Sequence, residues 1–104
     1  MSRFGMFGKI TTVDSKRDEL VDILLEAAEE MNTLDECEMY IVSVKEEEPN
    51  AIWVTEVWQD ENAHQASLSL EAVKMLIQKG RPLIVGMETI ETFAPRGGKG
   101  LKET

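Results

Sequence analysis

The segment Ile52-Trp53-Val54-Thr55-Glu56-Val57-Trp58 is apolar on both faces of a period-two pattern and runs directly into the acidic sequence Gln59-Asp60-Glu61. β-Branched and indole side chains suit a pleated surface, so this segment reads as a strand. Alternation puts Ile52, Val54, Glu56 and Trp58 on one face and Trp53, Thr55 and Val57 on the other. A strand with two apolar faces belongs to a sheet that is covered twice. Beyond Trp58 the alternation stops, Asp60 is a good N-cap, and Glu61 favours the positive end of a helix. Both tryptophans and the only histidine, His64, fall in this strand and the helix after it. A rigid strand end that hands over to a helix is a good place to hold a ligand.

The remaining bounds are broad. A chain of 104 residues, 42% hydrophobic, has material for one core and one domain. Its net charge of −9 argues against nucleic acid or an anionic membrane as the main partner. No apolar run approaches the roughly 20 residues of a membrane span, and Met1-Ser2-Arg3-Phe4-Gly5 does not read as a signal peptide. The lone Cys37 has no partner for an internal disulfide, which fits a reducing, cytoplasmic setting. Glu36 and Glu38 beside it make a poor environment for a thiolate, so Cys37 is read as structural.

In chain order, residues 4–13 read as a first strand in which Gly5 and Gly8 mark a bulge or a close approach. Asp14-Ser15 with Asp18 resembles a capping box, opening a helix to about Asn32 with Leu20, Ile23, Leu24, Ala27 and Met31 as its buried stripe. Its outer row, Asp18, Asp22, Glu26 and Glu30, repels itself at a spacing of four. That row is either a solvated face or a dock for the basic tail, Arg96, Lys99 and Lys102. Residues 37–45 form a second strand, joined to the 52–58 strand by the turn Glu46-Glu47-Glu48-Pro49-Asn50. From Asp60 to Lys79 a helix is expected, broken near Ser67, Ser69 and Glu71, and stopped by Gly80-Arg81-Pro82. Leu83 to Phe93 is the last strand, and residues 95–104 are expected to be a flexible basic tail.

Strand, helix, strand, strand, helix, strand is the split βαβ, ferredoxin-like α+β plan, with four antiparallel strands and helices on one face. Covering the other face asks for a homodimer packed through its sheet faces. The run Glu56-Val57-Trp58-Gln59-Asp60-Glu61-Asn62-Ala63-His64, placed after a hairpin in a chain of this length, resembles the antibiotic biosynthesis monooxygenase family. The resemblance covers about Phe4 to Ala94. It implies a dimeric α+β barrel with a small apolar cavity between sheet and helices in each subunit. It also implies, for some members, oxidation of quinols or phenols by O2 with no metal or organic cofactor. Trp58 matches the family tryptophan. Ser67 stands where many quinol-oxidising members carry a histidine, and His64 lies a helical turn earlier. In haem-degrading relatives the first strand carries an asparagine, matched here by Gly8, so haem is not expected.

Oxidation without a cofactor needs a base, an acidic substrate hydroxyl and a dry pocket. Histidine is the side chain that titrates near neutrality, so His64 is a candidate base if it faces inward, and otherwise a surface residue near Asp60 and Glu61. Glu56 is the other candidate base if burial raises its pKa; the alternative is a carboxylate paired with Arg81 or a lysine. Trp58 suits either stacking on a flat aromatic ligand or anchoring the core. Tyr40 and Arg81 are candidates for orienting a phenolate or carbonyl oxygen, and Met6 for lining the pocket. One histidine and one cysteine without ligand spacing do not make a metal site. Gly97-Gly98-Lys99-Gly100 has no following helix to complete an anion site. Two functions follow: a cofactor-independent monooxygenase acting on a small hydroquinone or polyphenol, or a non-catalytic dimer that binds a small apolar ligand or a protein partner.

Overall fold

The computed structural model describes residues 2–101. Its elements are β1 (Phe4–Thr12), α1 (Arg17–Met31), β2 (Cys37–Ser43), β3 (Ala51–Trp58), α2 (Glu61–Ser67), α3 (Glu71–Gly80), a 3-10 turn (Arg81–Leu83) and β4 (Ile84–Phe93). The sheet order is β2-β3-β1-β4 and every pairing is antiparallel. This is the ferredoxin-like α+β arrangement read from the sequence. The two-sided strand β3 and the glycine-bearing β1 occupy the centre, as the apolar content of β3 requires.

Helix α1 covers one face by the expected stripe. Leu20 and Leu24 pack with Ile10, Ile52 and Val54, and a second cluster joins Met31, Trp58 and Val73. The pairing of β1 with β4 shifts register twice, at Thr11/Thr12 and at Phe7/Gly8, the second beside a glycine read as marking a bulge. Gly5 has a separate reason: the Phe93 ring lies where a side chain on it would go.

Capping follows the sequence at one helix and departs from it at another. Asp60, extended at φ −159°, accepts a hydrogen bond from the Ala63 N–H at 2.7 Å and starts α2. Asp60→Ala is expected to lower stability by about 1 kcal/mol, read as a lower midpoint in urea with an unchanged slope. At α1 no side chain caps the helix, and the flanking residue is Lys16. Asp14 is occupied elsewhere, accepting from Asn50 Nδ2 at 2.6 Å, while the Ser15 hydroxyl donates to its neighbour's carbonyl. The capping-box reading fails because that turn is tied to the β2–β3 hairpin.

The predicted break between α2 and α3 is present, although Leu70 precedes α3 without a side-chain cap. In the acidic row of α1, Glu26 meets Lys79 of α3 at 3.6 Å. Among the described residues no ion pair joins that row to Arg96 or Lys99; Lys102 lies outside them. After β4 the chain comes back towards β2, where a Cβ on Gly100 would lie 3.7 Å from the Met39 side chain.

The sheet face away from the helices carries a polar-rimmed aromatic patch. Phe7 stacks on Trp53 at 5.3 Å, the Lys9 and Lys45 ammonium groups lie 5.2 and 4.9 Å from the Trp53 ring, and the indole N–H donates to Glu48 at 2.9 Å. Ile41 and Phe93 remain 47% and 43% exposed, so this face is only partly covered within one chain.

Candidate active site

Between the sheet and α1 and α3 lies a cavity of about 410 Å3. Its walls are apolar: Ile10, Leu20, Leu24, Val54, Leu76 and Ile84, drawn from strands and helices alike. Gly80, at the end of α3, leaves room there, since a Cβ would press on Leu20 at 3.1 Å. Polar side chains in the wall are few. Glu56 and Tyr40 stand directly opposite each other in the β2–β3 register, and Arg81 lies at the 3-10 turn after α3.

Glu56 is the chemically distinctive group. Strand alternation turns it to the helix face with Val54 and Trp58, and its side chain is only 13% exposed. It is held by the Trp58 indole, whose Nε1–H donates to Glu56 Oε1 at 2.9 Å. Burial pushes its pKa above the ordinary glutamate range, opposed by the Trp58 hydrogen bond and by neighbouring His64. Among the described residues no lysine or arginine pairs with it, so the alternative of a carboxylate paired with Arg81 or a lysine is not what the structure shows. Burial and the nearby Glu56 push the Tyr40 phenol far up, so Tyr40 is a hydrogen-bond donor that keeps its proton. Cys37 is half-buried, and burial together with Glu56 raises its thiol to about 11, in keeping with a structural cysteine.

His64 faces inward, which settles the choice the sequence left open. Its ring lies between Phe4 at 5.3 Å and Trp58 at 5.7 Å, with Nε2 3.9 Å from Glu56 Oε1. Nδ1 is buried and has no hydrogen-bond partner. Ser67 does not reach the cavity either: it is 5% exposed and its hydroxyl donates to the His64 carbonyl at 2.6 Å. The candidates therefore divide by position. Met6, Tyr40, Glu56 and Arg81 line the cavity, while Trp58 and His64 stand one layer behind Glu56. Trp58, 1% exposed in the cluster with Met31 and Val73, offers no open ring face for a ligand to stack on. Thr89 and Leu76 also line the cavity and were not singled out in the sequence. Helical spacing marks Leu76 only as one more apolar residue, and Thr89 comes in through strand register.

Among the described residues no cluster of histidine, cysteine and carboxylate could hold a metal ion, and no helix is long and apolar enough to cross a membrane. Fold and cavity together define a small α+β domain with a buried, carboxylate-bearing pocket between sheet and helices. The chain belongs to the antibiotic biosynthesis monooxygenase family, whose profile matches residues 3–79. A candidate antibiotic biosynthesis monooxygenase of Chloroflexus aurantiacus is 39% identical, with 97% of this chain and all of that one covered and a TM-score of 0.87. Two further candidate antibiotic biosynthesis monooxygenases, of Bacteroides thetaiotaomicron and Caulobacter crescentus, share the fold. The first is 18% identical, with 99% and 97% of the chains covered and a TM-score of 0.83. The second is 15% identical, with 92% of each chain covered and a TM-score of 0.83. No curated protein matches.

Proposed function

We propose that this protein is a cofactor-independent monooxygenase that oxidises a small hydroquinone or polyphenol with O2 inside the cavity between sheet and helices. The observation that carries the reading is the buried Glu56 carboxyl, facing an apolar space of about 410 Å3 and fixed by Trp58. A carboxylate in that setting is a stronger base than one in water, which suits removal of a phenolic proton. Glu56 takes the hydroxyl proton, Tyr40 donates a hydrogen bond to the developing oxyanion, and the apolar wall keeps water away from O2 and the anion. The hydroquinone itself supplies the electrons. One oxygen atom of O2 enters the ring, the other leaves as water, and the product is a hydroxyquinone, so no external reductant is needed. His64 acts through Glu56 as a positioning residue, because it stands outside the cavity wall. A second copy covering the Phe7–Trp53 face completes a dimer through the sheets; the exposure of Ile41 and Phe93 supports it.

Oxygen uptake by the metal-stripped protein across a panel of hydroquinones, corrected for autoxidation, tests the reading. Protein-dependent uptake with a single labelled oxygen atom from 18O2 in the product is the expected result. Uptake no faster than the blank, with the hydroquinones bound unchanged, supports the second reading, a non-catalytic carrier of a small apolar ligand. Ser67 at the family histidine position, turned away from the cavity, favours that alternative.

A further inference from the structure

The cavity has chemically different ends along the strand direction. Glu56 stands opposite Met6 on β1, whereas Ile84, which follows Arg81 closely in the chain, stands opposite Thr12 at the far end of the same strand. Arg81 is exposed at the mouth and lines the cavity, and no ion pair or hydrogen bond holds its guanidinium among the described residues.

The other charged residues along this wall are turned elsewhere. Lys9 sends its ammonium group to the opposite face of the sheet, 3.6 Å from Glu48 and over the Trp53 ring. Glu88 pairs with Lys9 in register, and directly opposed residues of an antiparallel pair share a face, so its carboxylate goes with Lys9 to that other side. Its contribution to the cavity is backbone: the Glu88 carbonyl lies 3.3 Å from where a Cβ on Gly8 would be. Arg81 is thus the one uncommitted cationic side chain at the cavity among the described residues. In a chain of net charge −9, such a group offsets the repulsion that an anionic ligand meets on approach.

We propose that Arg81 is a specificity residue that recognises a carboxylate on the substrate, so that the ligand is an aromatic hydroxy acid with its hydroxyl towards Glu56 and its carboxylate at the mouth. The assignment rests on the cavity reading above but not on turnover. A guanidinium fits a carboxylate through two parallel N–H donors, which a lysine does not reproduce. A neutral ligand of the same shape fills the same apolar walls and loses only this contact.

Equilibrium binding separates the possibilities without any chemistry taking place. The probes are 6-hydroxy-2-naphthoate and its neutral counterpart 6-hydroxy-2-naphthamide, titrated at low ionic strength and again in salt. The wild-type protein is expected to bind the acid about tenfold more tightly than the amide. Arg81→Gln is expected to abolish that preference and leave amide binding unchanged, and Arg81→Lys to restore it only in part. Salt should weaken binding of the acid alone, since Arg81 is exposed to solvent at the mouth. Equal affinity for the two probes, or a preference that survives in Arg81→Gln, overturns the assignment of Arg81 and leaves the cavity reading standing. If neither probe binds, the assignment of Arg81 is overturned, and oxygen uptake with the hydroquinones decides the cavity reading separately.

Discussion

Replacing Trp58 with alanine is expected to cost about 3–5 kcal/mol of stability, a large share of what a domain of this size has. Trp58 is among the most buried side chains, 1% exposed, and fills the space between Met31 of α1 and Val73 of α3. Truncation leaves a large hole and also strips Glu56 of its hydrogen-bond donor. Urea unfolding should show the midpoint falling sharply, with much of the protein unfolded near physiological temperature. Trp58→Phe divides the two roles. It keeps most of the packing and removes the N–H, so the stability loss is expected to be smaller, about 1–3 kcal/mol. Loss of oxygen uptake in Trp58→Ala would therefore say little about the site; Trp58→Phe is the informative variant.

Glu56→Gln is expected to lower kcat/KM by about 100- to 10,000-fold while ligand binding in the cavity changes little. Glutamine keeps the size and still accepts from the Trp58 N–H, so the wall is preserved and only the base is lost. The pH dependence has a definite sign. A base must be ionised, so the wild-type rate should rise with pH through a range above that of ordinary glutamates, and the rise should vanish in Glu56→Gln. Stability moves the other way. Because burial raises Glu56, the folded protein holds a proton that an unfolded glutamate gives up near pH 4.3. Stability from this group is therefore greatest in acid and declines as pH rises through the folded pKa. The variant should lack that decline, as pH-dependent unfolding midpoints would show.

Much of the architecture was legible because the signals were periodic. The two-sided pattern of β3, the stripe Leu20-Leu24-Ala27-Met31 and the turn before Asn50 each specify an element and the face it buries. Asp60 was readable as a cap because its partner, the Ala63 N–H, is local. Asp14 was not, because a residue distant in sequence, Asn50, takes its carboxylate. The site shows the same division. Alternation placed Glu56 and Trp58 on one face, but their 2.9 Å hydrogen bond, the pairing of Tyr40 with Glu56, and the seat of Trp58 beneath the cavity depend on register and helix packing. The direction of His64 was likewise undetermined locally, since one turn of α2 presents both an inner and an outer face. Contact with Phe4 and Trp58 selects the inner one.

The central claim is that the buried Glu56 carboxylate takes a proton from a phenol held in the cavity. The absorption spectrum of 4-nitrophenol bound to excess protein, at a pH where the free phenol keeps its proton, tests this most directly. The account predicts the phenolate band with the wild-type protein and the neutral phenol spectrum with Glu56→Gln at comparable binding. A neutral spectrum in the bound wild-type complex, or the same phenolate band in both proteins, would contradict it.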